Sequence, residues 1–273
     1  MQVRKLYPYL QFLPTFVPMN IVITGASNGI GYETALLFAN DSSNHILAIS
    51  RDQTKLDGLK KEADKFNPHN HLTTLSLDIS VSGFETELVT SLENVFNSEH
   101  PALHTPIPSR EGNILSPNIQ LLINNAGNLI AKPFGELTDN DFKQVYTVNF
   151  FAPVRIIRAL LPFMGKSSTH IVNIGSMGGM NGTSKFTGLT AYSSSKAALA
   201  VLSECLATEF EGKGISVNCL ALGSVQTEML TKAFPGYKAP LQPAEMAKFI
   251  VEFAINGSKY FNGKTLPVAL SNP

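Results

Sequence analysis

The stretch Asn20–Gly31, NIVITGASNGIG, decides how the rest of the chain reads. A short β-branched run, NIVIT, leads straight into a glycine-rich turn and then into a helical pattern. Such a turn between a strand and a helix suits a dinucleotide. Gly25 permits the tight turn, Gly29 lets the backbone approach a pyrophosphate, and Gly31 allows close packing of helix on sheet. The helix begins at Ile30, and its N-terminus favours an anion. Ser27 and Asn28 add side-chain hydrogen bonds. The bland alternative, a glycine-rich turn without a ligand, fits the strand–turn–helix setting poorly.

Working outward, β-branched runs alternate with helical stretches. Strands are expected at 20–24, 45–50, 71–77, 119–124, 170–175, 216–222 and 265–270, and helices at about 30–40, 52–66, 82–97, 139–164, 190–212 and 243–256. Several strands are continuous apolar runs, as expected where both faces of a parallel sheet are covered. The order predicts a single doubly wound α/β domain over 19–273, with helices on both sides of the sheet. The chain has 273 residues, 44% of them hydrophobic, and a formal net charge of zero. That length supports a sizeable core, and the charge balance argues against a nucleic-acid partner. Cys205 and Cys219 show neither metal nor redox spacing, so no metal site is expected, and two unpatterned thiols suit a reducing, cytoplasmic setting.

Two segments stand apart. Residues 1–18 are expected to be a loosely held tail, or to precede a functional start at Met19; Pro8, Pro14 and Pro18 interrupt their apolar run. No segment is long and apolar enough to suggest a membrane span. Residues 98–118, with four prolines in SEHPALHTPIPSREGNILSP, read as a surface loop inserted before the fourth strand.

The chemistry is expected in AYSSSKAALA, Ala191–Ala200. Tyr192 and Lys196 stand four apart, on one face of a helix. A nearby ammonium favours the phenolate, so the tyrosine pKa is expected to fall and Tyr192 to exchange protons near neutral pH. Ser176 closes the fifth strand and offers a hydroxyl to a developing oxyanion. Asn149 is a polar residue in the apolar run VNFFAPV, which calls for a hydrogen-bond partner. The second strand ends in Ser50-Arg51, where an acidic residue would hold a ribose 2′-hydroxyl. Arg51 instead offers a forked, permanent cation to a 2′-phosphate, which favours NADP(H) over NAD(H).

TGASNGIG, NNAG at 124–127, Asn149, Ser176 and Tyr192-x-x-x-Lys196 together resemble the short-chain dehydrogenase/reductase family over roughly residues 19–270. The resemblance implies a three-layer Rossmann fold with strand order 3-2-1-4-5-6-7. It implies that Asp78 and Ile79 meet the adenine, that Asn125, Ala126 and Gly127 lie against the ribose, and that Val225 and Thr227 hold the nicotinamide carboxamide. It also implies that Lys196 contacts the nicotinamide ribose and that Asn149 holds a water linking the lysine to solvent. The expected function is NADP(H)-dependent interconversion of a small-molecule carbonyl and alcohol, with Tyr192 as general acid/base. The alternatives are a non-catalytic NADP-binding sensor and an epimerase or dehydratase of the larger related branch.

This sequence departs from the family's pattern at Asn28, which is not basic where NADP-preferring relatives sometimes carry a second positive residue, and at two further places. The interval from Ser176 to Tyr192 is about 16 residues, a few more than is usual, and Leu222-Gly223 stands where relatives usually carry Pro-Gly. A short lid is expected over about 228–240, with Met229, Leu230, Phe234 and Tyr237 as an apolar lining. Homodimers or tetramers are expected, paired through the helices at 139–164 and 190–212. Deleting residues 1–18 is expected to leave activity intact, which a turnover assay on the shortened, soluble protein checks.

Overall fold

The computed structural model describes residues 18–97 and 118–270. The expected tail and insertion therefore lie outside the described residues, apart from Pro18 and Asn118. Seven strands form one parallel sheet: β1 (Asn20–Thr24), β2 (His45–Ser50), β3 (His71–Ser76), β4 (Leu121–Asn124), β5 (Thr169–Ser176), β6 (Ile215–Leu222) and β7 (Thr265–Val268). Their order is β3-β2-β1-β4-β5-β6-β7, as the resemblance implied. The order reverses between β1 and β4, and a crevice opens there beyond the carboxyl ends of the strands.

Alternation of side chains along each strand builds two cores. Ile21 and Ile23 face α1 (Gly29–Ala39), α2 (Gln53–Phe66) and a later helix, α8 (Pro243–Asn256). Val22, between them, faces the opposite layer, formed by α3 (Phe84–Asn97), α5 (Ala152–Leu160) and α6 (Thr190–Glu209). Each fully buried Ile or Leu contributes roughly 1.5–3 kcal/mol, so the continuous apolar strands are stabilised from both sides. Among the described residues no helix is long and apolar enough to cross a membrane.

The expected single helix over 139–164 is interrupted. It consists of α4 (Asp139–Tyr146), a π-helical turn at Thr147–Phe151, α5, and a 3-10 turn at Leu161–Phe163. Pro153 stands in the first turn of α5. It has no N–H for the carbonyl of Asn149, four residues earlier, so the regular ladder cannot run through. A widened turn at this point aims Asn149 inward, and the residue is fully buried. The expected lid contains a helix that the sequence reading left out, α7 (Glu228–Ala233), capped by Thr227, whose Oγ1 accepts from Leu230 N at 3.2 Å.

A buried histidine locks the far side of the sheet. His170 on β5 bonds through Nδ1 to the Ala254 carbonyl at 2.9 Å, and its Nε2 meets Asn218 Nδ2 at 3.0 Å. The network requires Nδ1 to carry the proton. Asn218 also donates to the Phe261 carbonyl and accepts from Lys264 N, which joins β6 to the turn before β7. Burial pushes His170 down to about 4, against a smaller opposing effect of the Ala254 bond. An unfolded histidine titrates near ~6.5, so the neutral ring stabilises the fold fully above that pH. That stability is lost as pH falls from about 6.5 through 4, by about 3 kcal/mol. Urea unfolding at pH 7.5 and pH 4.5 is expected to show His170→Gln losing less stability on acidification than the parent protein.

Candidate active site

The glycine turn has no room for a side chain. Gly25 has φ +70°, and a Cβ there would lie 2.7 Å from Ala126 Cα. A Cβ on Gly31 would collide with the Gly25 carbonyl oxygen. The neighbouring strand end is laced to this turn. Thr24 Oγ1 accepts from the N–H groups of Asn125 and Ala126, both at 3.1 Å. Asn125 Nδ2 donates to the carbonyls of Thr24 and Gly25, also at 3.1 Å. Thr24 was missed in the sequence; its signal is a buried hydroxyl closing an apolar strand. Asn124 donates to Asn173 at 2.8 Å, and Asn173 to Ser203 at 2.8 Å, so the asparagines tie β4, β5 and α6 together.

Asn28 caps α1, its Oδ1 accepting from Gly29 N at 2.7 Å. Ser50 Oγ donates to Ser27 Oγ at 2.7 Å. Arg51 is exposed on the wall of the same cleft. Asp52 is taken up as the cap of α2, accepting from Lys55 N at 3.0 Å. Asp78 and Ile79 line the cleft beside Arg51. Burial pushes the Asp78 carboxyl up, but bonds from Ser80 and the charge of Arg51 outweigh it and hold the group below its usual value. Thr227 packs on the glycine turn, since a Cβ on Gly29 would lie 3.2 Å from its Cγ2. Val225 pairs with Leu241, and Gln226, which the sequence reading passed over, accepts from Ala239 N at 2.8 Å to pin the base of the α7 segment.

Asn149, Ser176, Tyr192 and Lys196 come together at the carboxyl ends of β4 and β5. A Cβ on Gly127 would lie 3.7 Å from Asn149 Oδ1 and 3.8 Å from Lys196 Nζ. Asn149 accepts from Asn128 N at 2.7 Å and donates to the Asn128 carbonyl and to Ser195 Oγ, both at 2.9 Å. Its side chain therefore clamps the loop after β4 to α6, and Asn128 and Ser195 are partners that the sequence did not reveal. Ser176 and Tyr192 line the same cleft despite the lengthened interval between them. Ser176 Oγ accepts from Gly178 N at 3.2 Å.

The expected fall in the tyrosine pKa is not found. Burial raises the Tyr192 phenol above its ordinary value, and the nearby Ser176 hydroxyl opposes this only in part. Lys196 donates to the Ile174 carbonyl at 2.8 Å, and its Nζ lies 5.9 Å from the centre of the Tyr192 ring. Burial pushes the Lys196 ammonium itself down to about 8. Desolvation thus exceeds the charge effect that the i, i+4 spacing suggested.

Ser176, Tyr192 and Lys196 share one cleft of about 1390 Å³ with the glycine turn and the α7 segment, while Asn149 lies buried behind it. That exceeds the ~300–1,000 Å³ of an ordinary small-molecule pocket and leaves room for a dinucleotide and a substrate together. Met229, Leu230, Phe234 and Tyr237 all line it, and Phe186 meets Phe234 edge to face with ring centres 6.4 Å apart. Leu222 ends β6 paired with Val268, and Gly223 N donates to the Val268 carbonyl at 2.9 Å; β7 supplies the restraint there.

Residues 113–238 match the family model described as short chain dehydrogenase. A fatty acyl-CoA reductase of Mycobacterium tuberculosis is 31% identical over 239 residues, covering 86% of this chain and 72% of the relative. The crystal structure of levodione reductase superposes with a TM-score of 0.77 at 21% identity, covering 93% of this chain and 97% of that one. A putative NAD(P)-dependent gluconate 5-dehydrogenase from Beutenbergia cavernae, with bound NADP at low occupancy, gives a TM-score of 0.74 at 24% identity, covering 93% and 96%. The chain belongs to the short-chain dehydrogenase/reductase family, oxidoreductases that interconvert carbonyls and alcohols with a nicotinamide cofactor. The glycine cradle, the Asn28 cap and the size of the cleft fit such a dinucleotide.

Asn149→Ala would strip the half-buried N–H and carbonyl of Asn128 of their partner and remove the donor to Ser195 Oγ, which keeps its own bond to the Tyr192 carbonyl. The expected loss is about 2–3 kcal/mol of stability, read as a lower urea midpoint at unchanged slope.

Proposed function

We propose that this protein is an NADP(H)-preferring oxidoreductase that interconverts a carbonyl and an alcohol, with Tyr192 as the general acid/base. The observation that carries the reading is that Ser176, Tyr192 and Lys196 line one cleft with the glycine turn, Lys196 Nζ lying 5.9 Å from the centre of the Tyr192 ring. Gly25, Ser27, Asn28, Gly29, Ile30 and Gly31 would hold the pyrophosphate side of the dinucleotide. Asp78 and Ile79 would meet the adenine, Asn125, Ala126 and Gly127 the ribose, and Val225 and Thr227 the carboxamide. Arg51 would take a 2′-phosphate; its position on the cleft wall and the NADP in one solved neighbour support that preference. The bound cofactor supplies or accepts the hydride at the carbonyl carbon.

The protein's own groups do the rest. Ser176 and Tyr192 orient the substrate oxygen from one side. A raised tyrosine pKa keeps the phenol protonated at neutral pH, ready to donate as charge develops on that oxygen. The Lys196 charge stabilises the phenolate left behind and contacts the nicotinamide ribose. Asn149 holds the loop that carries Asn128 in register with α6, and would hold the water that links Lys196 to solvent. Residues 228–240 act as the lid, and their apolar lining favours a carbonyl compound with an apolar chain. The fatty acyl-CoA reductase relative supports that substrate class.

A sensor would have no use for the four converging polar groups, so the enzyme is preferred. Phe151 and Val201, 51% and 58% exposed on the π turn and α6, support pairing of two copies through these helices. Free cysteines at 205 and 219 support a reducing, cytoplasmic setting.

Tyr192→Phe is expected to lower turnover by about 10²–10⁴-fold while NADPH binding stays within a factor of about two. Comparable turnover in that variant would refute the assignment. The rate of carbonyl reduction is expected to fall as pH rises through about 8, where Lys196 loses its proton; a pH profile of kcat checks this.

A further inference from the structure

Glu228, the first residue of α7, reaches across the mouth of the cleft to the opposite wall. Its Oε2 accepts from Asn28 Nδ2, the cap of the phosphate-binding turn, and from Lys55 Nζ at 3.1 Å. Its other oxygen meets Lys232 at 2.6 Å. Lys55 lies in the first turn of α2, one helical turn beyond Arg51, and both side chains line the cleft. A lid carboxylate thus sits on two groups whose chemistry suits a phosphate: an amide at a helix N-terminus and an ammonium.

We infer that Lys55 is a second ligand for the ribose 2′-phosphate beside Arg51, and that the Glu228 carboxylate is the competitor which that phosphate displaces. The inference rests on the NADP(H) reading above and adds to it a residue that selects the cofactor and a contact that opposes it.

Three physical points support the exchange. The Lys55–Glu228 pair is exposed, 45% and 44% by side chain, so water screens it and little free energy holds it together. A phosphate monoester carries about −1.5 to −2 charges and three acceptor oxygens against one charge on the carboxylate, so it is the stronger partner for an ammonium. Glu228 keeps Lys232 when it leaves Lys55, so no charge is stranded. The flanking lysines hold its carboxyl down to about 2, so it competes as an anion over the whole working pH range. A consequence follows for the substrate end. Met229, Leu230 and Phe234 belong to the same short segment, so freeing Glu228 loosens the first turn of the lid where it meets the cleft.

The test is equilibrium binding of NADPH, NADH and 2′-AMP, followed by nucleotide or protein fluorescence, for the parent protein and Glu228→Gln, Lys55→Gln, Arg51→Gln and the Glu228→Gln/Lys55→Gln pair. Glu228→Gln is expected to tighten NADPH and 2′-AMP about three- to fivefold and to change NADH by less than about twofold. Lys55→Gln is expected to weaken NADPH about tenfold with little effect on NADH, and in the double variant the gain from Glu228→Gln disappears. Weaker or unchanged NADPH binding in Glu228→Gln would overturn the inference, as would NADPH affinity indifferent to Lys55→Gln. If Arg51→Gln then still weakens NADPH selectively, the cofactor reading stands and only the exchange falls. If no variant separates NADPH from NADH and 2′-AMP does not bind, both fall together.

Discussion

Everything at the cleft depends on how the end of β1 is held to the end of β4. Thr24 Oγ1 takes two backbone N–H groups from the β4 side, and Asn125 gives its amide to two carbonyls of the β1 side. The four bonds, each 3.1 Å, close the point where the strand order reverses. They also fix the space in which Gly25 and Gly31 have no room for a Cβ. A buried polar group costs more when unpaired than it contributes when paired, so this lacing tolerates few alternatives. The turn, the cap at Asn28 and the placing of Gly127 near Lys196 all inherit their geometry from it.

The chemical half of the site is held by a second constraint of the same kind. Pro153 interrupts the helical ladder, the chain widens at Thr147–Phe151, and Asn149 turns inward to clamp Asn128 and Ser195. Ser176, Tyr192 and Lys196 are then presented on β5 and α6, two elements tied by Asn173 and Ser203. The proposed reacting groups thus sit on β5 and α6, while the α7 segment meets the opposite wall of the cleft through exposed contacts at Glu228. Precision sits where desolvation is strong, and exchange sits where water screens charge.

Much of this was legible in the sequence. Continuous apolar runs marked strands covered on both faces, and all seven strands were found within two residues of their ends. The glycine turn was legible because its setting, not its composition, is specific. What escaped follows from contacts made at long sequence separation. Nothing in VNFFAPV says that Asn149 will find Asn128, although Pro153 hinted that the helix could not run through. The Tyr192–Lys196 spacing suggested a lowered tyrosine pKa, but burial, which depends on the whole fold, outweighs the neighbouring charge. The six-residue α7 was missed because a helix that short carries little periodicity, and Thr24 and Gln226 were missed because their partners lie on other elements.

The central claim is that hydride chemistry takes place between a nicotinamide nucleotide and a carbonyl held at Ser176 and Tyr192. The most direct measurement incubates the purified protein with NADPH deuterated at the nicotinamide C4 and a panel of apolar ketones and aldehydes, then reads the products by mass spectrometry. The account predicts alcohols carrying one deuterium on the former carbonyl carbon, from one face of the nicotinamide only. Saturable binding of the nucleotide with no label transferred to any carbonyl carbon, across a panel that includes apolar acyl substrates, would contradict it.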